Sequence, residues 1–143
     1  MSIKQISVFL ENRPGKLDEM CALLAKNNID LRALSLAETK DFGIARMIVD
    51  DAYGTVNVLK EHDFIAKFTP VLGYAVPDEP GGLSKLLSAF TAAGVNIEYM
   101  YAFLGSQNGH AYMIFRVSGT DAAEAALGAM GWKPLTQEQI AEI

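Results

Sequence analysis

The sequence is poor in the residues on which most enzymes, metal sites and secreted proteins depend. Its 143 residues include one cysteine and two histidines. The lone Cys21 excludes an internal disulfide, which favours a reduced, cytoplasmic setting. No run approaches the ~18 apolar residues of a membrane-spanning helix, and no apolar signal segment is evident at the N-terminus. These absences predict a cytoplasmic protein with no membrane partner.

Positive charge is also scarce. The chain has 12 lysines and arginines against 17 aspartates and glutamates, so its net charge is −5. Nucleic-acid binding depends on neutralising phosphates, and an acidic surface is equally unsuited to an anionic membrane. Half of the residues are hydrophobic, which is ample for a packed core and argues against disorder. We therefore expect a compact protein whose partners do not include nucleic acid.

The few reactive side chains do not form a recognisable catalytic or metal-binding pattern. Cys21 falls on the apolar stripe of a predicted helix, and His62 lies near a predicted helix end. His110 follows a turn, and Asp50 and Asp51 are typical of a helix cap. Phosphate-loop, dinucleotide and zinc-protease motifs are absent from the sequence. We predict no enzymatic activity, no catalytic residue, no metal site and no cofactor.

An internal repeat dominates what is present. Arg13-Pro14-Gly15-Lys16-Leu17 returns as Glu79-Pro80-Gly81-Gly82-Leu83, a shift of 66 residues. The same shift, held for about fifty residues, relates Gly43 and Met47 to Gly109 and Met113. A repeat of this length indicates duplicated structural units. We place them at residues 1–69 and 70–143, and expect these small units to pack on each other because each core is thin.

Each unit has the hydrophobic pattern of strand, helix, strand, strand, helix, strand. In the first, strands are predicted at 3–10, 29–38, 44–49 and 64–68, with helices at 17–27 and 51–62 and a hairpin turn at 40–43. In the second, strands are predicted at 71–76, 95–104, 110–117 and 132–135, with helices at 81–93 and 120–130; a capping box at 136–139 then predicts a short terminal helix. This order predicts an α+β fold of two ferredoxin-like βαββαβ units, each an antiparallel sheet with its helices on one face.

The two strand-to-helix turns are the best candidates for a binding site. Pro14-Gly15 and Pro80-Gly81 each precede a helix whose first N–H groups can hold an anion. Asn12 adds a side chain with both a donor and an acceptor, as an amino-acid ligand requires. The alternative, that Pro-Gly only makes a tight turn, remains open at this point.

The motif Glu11-Asn12-Arg13-Pro14-Gly15-Lys16-Leu17, with Asn28-Ile29-Asp30-Leu31 after it, resembles the signature of ACT domains. Pro77 to Leu83, with Gly94-Val95-Asn96-Ile97, resembles a second copy, so the resemblance covers nearly the whole chain. It implies a free-standing tandem ACT protein that binds a small molecule, most often an amino acid. It also implies that two domains lie side by side and join their sheets into one of about eight strands.

In ACT domains that sense serine, the turn asparagine and an asparagine opening the partner domain's second strand hold the ligand. The matching residues are Asn12 and Asn96, and a family histidine is replaced by Leu10. The resemblance thus implies a main site with an apolar wall, comprising Leu10, Asn12, Arg13, Pro14, Gly15, Lys16, Leu17, Asn96, Ile97, Glu98 and Met100. The pseudo-symmetric second site is expected to be weaker because Asp78 and Asp30 replace the asparagines; it comprises Asp78, Pro80, Gly81, Gly82, Leu83, Asp30 and Leu31.

The sequence therefore predicts a non-enzymatic regulatory protein that binds an amino acid at the seam between its units and acts on an unidentified protein. The alternative is a ligand-free interaction module, or a regulatory subunit of an enzyme of amino-acid metabolism. Either function is compatible with a homodimer.

Overall fold

The computed structural model describes residues 2–38 and 41–143, which form an antiparallel sheet and flanking helices. Lys40 of the predicted first hairpin turn lies outside the described residues. No described helix is long and apolar enough to cross a membrane. The strands are β1 Ile3–Glu11, β2 Leu31–Glu38, β3 Phe42–Val49, β4 Ile65–Pro77, β5 Ile97–Ala102 and β6 His110–Val117. The helices are α1 Lys16–Lys26, α2 Ala52–Glu61, α3 Gly82–Ala92, α4 Thr120–Ala129 and α5 Gln137–Glu142.

The helices begin where the sequence predicts. Gly15 and Gly81 precede α1 and α3 with φ of 89° and 87°, a left-handed conformation that favours glycine. Asp51 caps α2 by accepting a hydrogen bond from the Gly54 N–H. Thr136 opens α5 with a full capping box. The predicted ferredoxin-like βαββαβ pattern and the placement of the helices on one face of each sheet are confirmed; the strand that ends each unit differs from the prediction.

One strand belongs to both units. We expected separate strands at 64–68 and 71–76, but β4 is continuous through this region. Its first part pairs with β1, and its second part, from Leu72 to Pro77, pairs with β6. The expected last strand at 132–135 is also absent, although the Leu135 N–H donates to the Gly73 carbonyl at 2.7 Å. The sheet therefore has six strands, in the order β2-β3-β1-β4-β6-β5, rather than the eight expected.

The repeat is not a single ungapped shift. Leu10 pairs with Gly43, and the matching residue Val76 pairs with Ala111. Helices α2 and α4 begin at Ala52 and Thr120, a shift of 68 residues. The shift of 66 thus holds through the first two strands of each unit, and the second hairpin then adds two residues. Gly43 corresponds to Ala111, which corrects its match to Gly109.

Three clusters of buried side chains hold the fold together. In each unit, one face of the sheet packs on two helices, around Met20 and Leu24 in the first and around Phe90 and Leu127 in the second. The third cluster combines residues of both units: Ile3, Ala33, Ile48, Val71, Tyr101, Ile114, Leu135 and Ile140. The strand residues among them alternate with the helix-facing ones, so the two helix-free faces pack against each other, with Leu135 and Ile140 added from the C-terminal segment. The halves thus meet face to face.

A polar cluster lies within this interface. Gln5 is fully buried, and its amide donates to the hydroxyls of Tyr99 at 2.8 Å and Ser7 at 3.0 Å. The Tyr101 hydroxyl donates to Gln5 Oε1 at 2.6 Å. The guanidinium of Arg46 lies 3.8 Å from the centre of the Tyr99 ring, a cation–π contact. These bonds specify how the two sheets align, because a shifted alignment would leave buried polar atoms unpaired.

The two strand-to-helix turns differ in how tightly they close. A Cβ added to Gly82 would lie 2.1 Å from the Pro77 carbonyl oxygen, so only glycine fits there. Lys16 occupies the equivalent position of the first turn and carries a full side chain. The first turn therefore has room for a side chain at the start of its helix, whereas the second does not.

Replacing Tyr101 with phenylalanine should weaken the interface between the sheets. Gln5 Oε1 would lose its hydroxyl donor while remaining buried, which typically costs about 1–3 kcal/mol of folding free energy. Urea unfolding measures this change. The matched control is Tyr53→Phe, at a side chain that is 64% exposed and should change stability by less than about 0.5 kcal/mol. Equal effects of the two substitutions would contradict the assignment.

The lack of space at Gly82 in the second turn predicts that a larger residue there lowers stability. Gly82→Ala should lower the unfolding free energy by about 1–3 kcal/mol, because the new methyl group overlaps the Pro77 carbonyl. Lys16→Ala, at the equivalent position, should stay within about 0.5 kcal/mol of the parent protein. Thermal unfolding of the two variants provides the comparison, and a Gly82→Ala protein as stable as the parent would show that the turn is not constrained.

Candidate functional site

A cavity of about 350 Å³ lies beside the first turn. It is bounded by the end of β1, the start of α1, the end of β2 and the start of β3. Its lining residues are Leu10, Glu11, Asn12, Arg13, Lys16, Leu17, Leu36, Glu38 and Gly43. All of these described lining residues belong to the first unit.

The turn itself is held by local hydrogen bonds. The Asn12 N–H donates to the Asp41 carbonyl at 3.2 Å, which ties the end of β1 to the start of β3. The Arg13 N–H donates to the Glu11 carbonyl at 2.9 Å. Gly15 then takes the left-handed conformation that turns the chain into α1. The N-terminal turn of α1 consequently borders the cavity, where its partial positive charge favours a carboxylate.

Charges of both signs line the cavity. Arg13 Nε donates to Glu11 Oε2 at 2.8 Å, and this hydrogen bond, with the nearby positive charge, lowers the pKa of the Glu11 carboxyl. Lys16 is largely covered; its ammonium lies 3.5 Å from the Glu19 carboxylate and 5.6 Å from the centre of the Phe64 ring. Glu38 adds an acidic group at the end of β2. Opposite charges are thus available for a zwitterion.

The remaining wall is apolar. Leu10 is almost fully buried, whereas Leu17 is half-buried and Leu36 is half-exposed. Gly43 lies between β1 and β2, and a Cβ there would come within 3.3 Å of the Leu36 side chain. Leucine at position 10 presents no hydrogen-bonding group to a ligand. This wall suits an aliphatic side chain better than a hydroxyl.

The structure brings together only part of the predicted main site. Leu10, Asn12, Arg13, Lys16 and Leu17 line the cavity, and Pro14 and Gly15 form its turn. The predicted residues of the second unit lie outside the cavity lining.

Asn96 is exposed just before β5, and Ile97 and Met100 pack into the helix-side core of the second unit. Glu98 Oε2 lies 3.8 Å from Arg116 Nε. The pairing of Asn12 with Asn96 stays a prediction. Leu36, Glu38 and Gly43 were not foreseen, because they join the site only through the pairing of β2 and β3 beside β1.

The predicted second site is more dispersed. The Asp78 N–H donates to the Gly109 carbonyl at 2.8 Å, while Asp30 lies 3.1 Å from Arg32 Nη1. Leu31 and Leu83 pack against different cores. Pro80 and Gly81 form the turn, and the tight contact of Gly82 with Pro77 narrows it.

The two turns also differ in charge. Where the first turn has Arg13 and Lys16, the second has Glu79 and Gly82, so both cations are lost. The second turn therefore combines less space with a more acidic surface. Both differences disfavour a ligand carboxylate.

His62 and Cys21 lie outside the cavity lining and make contacts within the fold. His62 is the C-cap of α2, and its Nδ1 lies 2.9 Å from the Val58 carbonyl oxygen. Cys21 packs against the first helix–sheet core, where burial, followed by the charge of Asp18, raises the pKa of its thiol. Among residues 2–38 and 41–143, no group of three or more acidic, histidine or cysteine side chains could hold a metal ion.

Comparison with known proteins identifies the relatives of this fold. The family model described as "ACT domain pair" matches residues 1–140. The chain is similar to protein BT0572 from Bacteroides thetaiotaomicron, whose crystal structure superimposes with a TM-score of 0.91. The sequences are 39% identical, and the match covers 100% of this chain and 98% of that chain. No curated protein sequence matches the chain.

More distant neighbours have the same fold at low identity. The regulatory subunit of aspartate kinase from Thermus thermophilus, in a ligand-free form, is 19% identical over 91% of each chain, with a TM-score of 0.65. The corresponding subunit from Thermus flavus is 18% identical over 92% of each chain, with a TM-score of 0.60. The family model spans both units and includes both turns. The chain therefore belongs to the family of ACT domain pairs.

Proposed function

We propose that this protein is a non-enzymatic sensor that binds one α-amino acid in the cavity beside the first turn and regulates another protein. The observation that carries the proposal is the composition of that cavity. A helix N-terminus, cationic and acidic side chains and an apolar wall enclose a space of about 350 Å³. Membership of a regulatory family supports the same conclusion.

The cavity suggests how the ligand is oriented. Its carboxylate would lie at the start of α1, near Lys16, and Asn12 would contribute a further polar contact. Its ammonium group would face Glu38. The side chain would then lie against Leu10, Leu17 and Leu36, where apolar contact stabilises it by about 25 cal/mol per Å² of buried surface. We therefore favour an aliphatic amino acid over an anionic one.

A second candidate function is a ligand-free interaction module or an enzyme's regulatory subunit. The exposure of several large apolar side chains, among them Phe42 and Ile65, favours this alternative. A sensor should release or absorb heat and gain stability when it binds an amino acid, whereas a ligand-free module should not. Calorimetric titration with amino acids therefore distinguishes the two functions.

Calorimetric titration with the twenty amino acids should reveal one or a few ligands. We expect a Kd between micromolar and millimolar, corresponding to about −4 to −8 kcal/mol. Aliphatic amino acids should bind more tightly than aspartate or glutamate, with one ligand per chain. A ligand at 100 times its Kd should also stabilise the fold by about 2.7 kcal/mol. Absence of any response, or preferential binding of a nucleotide, would overturn the proposal in favour of another function.

Substitutions at equivalent positions of the two units should have unequal effects on that binding. Asn12→Ala should weaken it by about 1–3 kcal/mol, roughly 5- to 150-fold, by leaving a ligand group unpaired. Asp78→Ala is the matched control in the second turn and should preserve the affinity. Asn96→Ala tests the predicted pairing of Asn12 with Asn96: an unchanged affinity would confine the site to the first unit, whose cavity lining does not include Asn96. Weakened binding in Asn96→Ala would instead show that the second unit contributes to the site.

A further inference from the structure

The helix-free face of the first sheet extends beyond the area that the second sheet covers. At its far end, Phe9 pairs with Ile44 on one side and with Ile65 on the other, and Ile44 pairs with Ala37. These four residues form an apolar row across β2, β3, β1 and β4, which we call the open row. Phe9 is 37% exposed and Ile65 is 68% exposed. Phe42, 54% exposed, lies next to the row on the same face.

In the second unit, the equivalent row is covered. Ala75 pairs with Tyr112, and the Tyr112 ring lies 5.6 Å from that of Phe103. All three pack against the third core, together with Ile143 at the end of the chain. The C-terminal segment thus covers the row in the second unit. The open row has no comparable cover within the described residues.

Opposite charges flank the open row. On one side, Ser7 pairs with Arg46, whose guanidinium stacks on the Tyr99 ring, and with Lys67, whose ammonium borders the row 5.7 Å from the centre of the Phe9 ring. On the other side, Glu11, Asp63 and Lys16 line a small hollow that also contacts Phe9 and Ile65, and Glu11 is paired with Arg13. Consider a second copy related to the first by a two-fold axis that runs along the row, across the strands. The strands of the second copy then run in the opposite direction, so the basic side of each copy faces the acidic side of the other. In this arrangement Lys67 of each copy meets Asp63 of the other.

We propose that the open row is an interface through which two copies of this chain form a two-fold symmetric dimer. The row of one copy packs on the row of the other, and the Lys67 ammonium of each copy lies against the Asp63 carboxylate of the other. The surface continues the same sheet face that the chain already buries between its own two units. Isologous packing of this kind requires a self-complementary patch, which the alternation of basic, apolar and acidic rows supplies.

Sedimentation analysis of the full-length protein from about 1 to 100 μM tests this interface; that range covers the micromolar affinities typical of modest protein contacts. The parent protein should be a dimer. Ile65→Lys and Lys67→Glu should each raise the dimer Kd by about 10-fold or more, because they place charge in the apolar row or against the Asp63 carboxylate. The double variant Lys67→Glu/Asp63→Lys should return the Kd to within about 3-fold of the parent value, as expected for a directly coupled pair.

The control is Leu104→Glu, at a side chain that is 68% exposed but lies outside the row. It should leave the dimer unchanged, and thermal unfolding should show that every variant remains folded. A monomeric parent protein would overturn the proposal. So would a dimer that persists in both Ile65→Lys and Lys67→Glu, or a charge-swapped variant that stays dissociated. These outcomes do not depend on any amino-acid ligand and leave the proposed sensor function to its own test.

Discussion

The structure depends on the membership of β4 in two ladders. Its first part is fixed by β1 and its second part by β6, so the two sheets share one continuous backbone. With β4 fixed in this way, the helix-free faces fold onto each other, and the helices remain on the outer faces. At the far edge, an isolated bridge between Ala33 and Phe103 joins β2 to β5. The interface between the units is therefore built into the chain and does not require a linker.

This arrangement explains how two similar units acquire different roles. The pairing of the sheets uses the helix-free faces and leaves both strand-to-helix turns at the surface. Each turn is then free to differ in sequence without disturbing the shared core. The first retains a side chain at Lys16 and a cavity, whereas the second closes on Gly82. Duplication supplied the scaffold, and local substitutions made the two ends unequal.

The sequence predicted the elements well, since they depend on local patterns. The helix starts at Gly15 and Asp51 and the capping box at Thr136 follow from local chemistry that the sequence displays directly. The fusion of two predicted strands into β4 was not predictable in this way. The predicted break fell at Thr69-Pro70, yet Pro70 pairs with Lys4 of β1 and its carbonyl accepts a hydrogen bond from Arg116 of β6, contacts that exist only in the folded chain.

The candidate site shows the same division. Leu10 to Leu17 are contiguous, and the motif identified them together. Leu36, Glu38 and Gly43 join them because β2 and β3 pair beside β1, which sequence spacing alone does not reveal. The two additional residues in the second hairpin were also missed, because they become visible only when the strand pairing is known. Glycines at 43 and 109 coincide in an ungapped comparison, and only strand pairing shows that Gly43 matches Ala111.

The position of Leu135 and Ile140 in the third core has a consequence for synthesis of the protein. The first unit can form its helix–sheet core once β4 has left the ribosome, but Ile3 and Ile48 then still face solvent. They are covered only when β5 and the last ten residues of the chain have emerged. This apolar face of the first sheet therefore stays uncovered while nearly half of the chain is still being synthesised. Premature termination just short of the last helix would remove Ile140 and leave part of that face uncovered, a surface suited to chaperone capture and to aggregation.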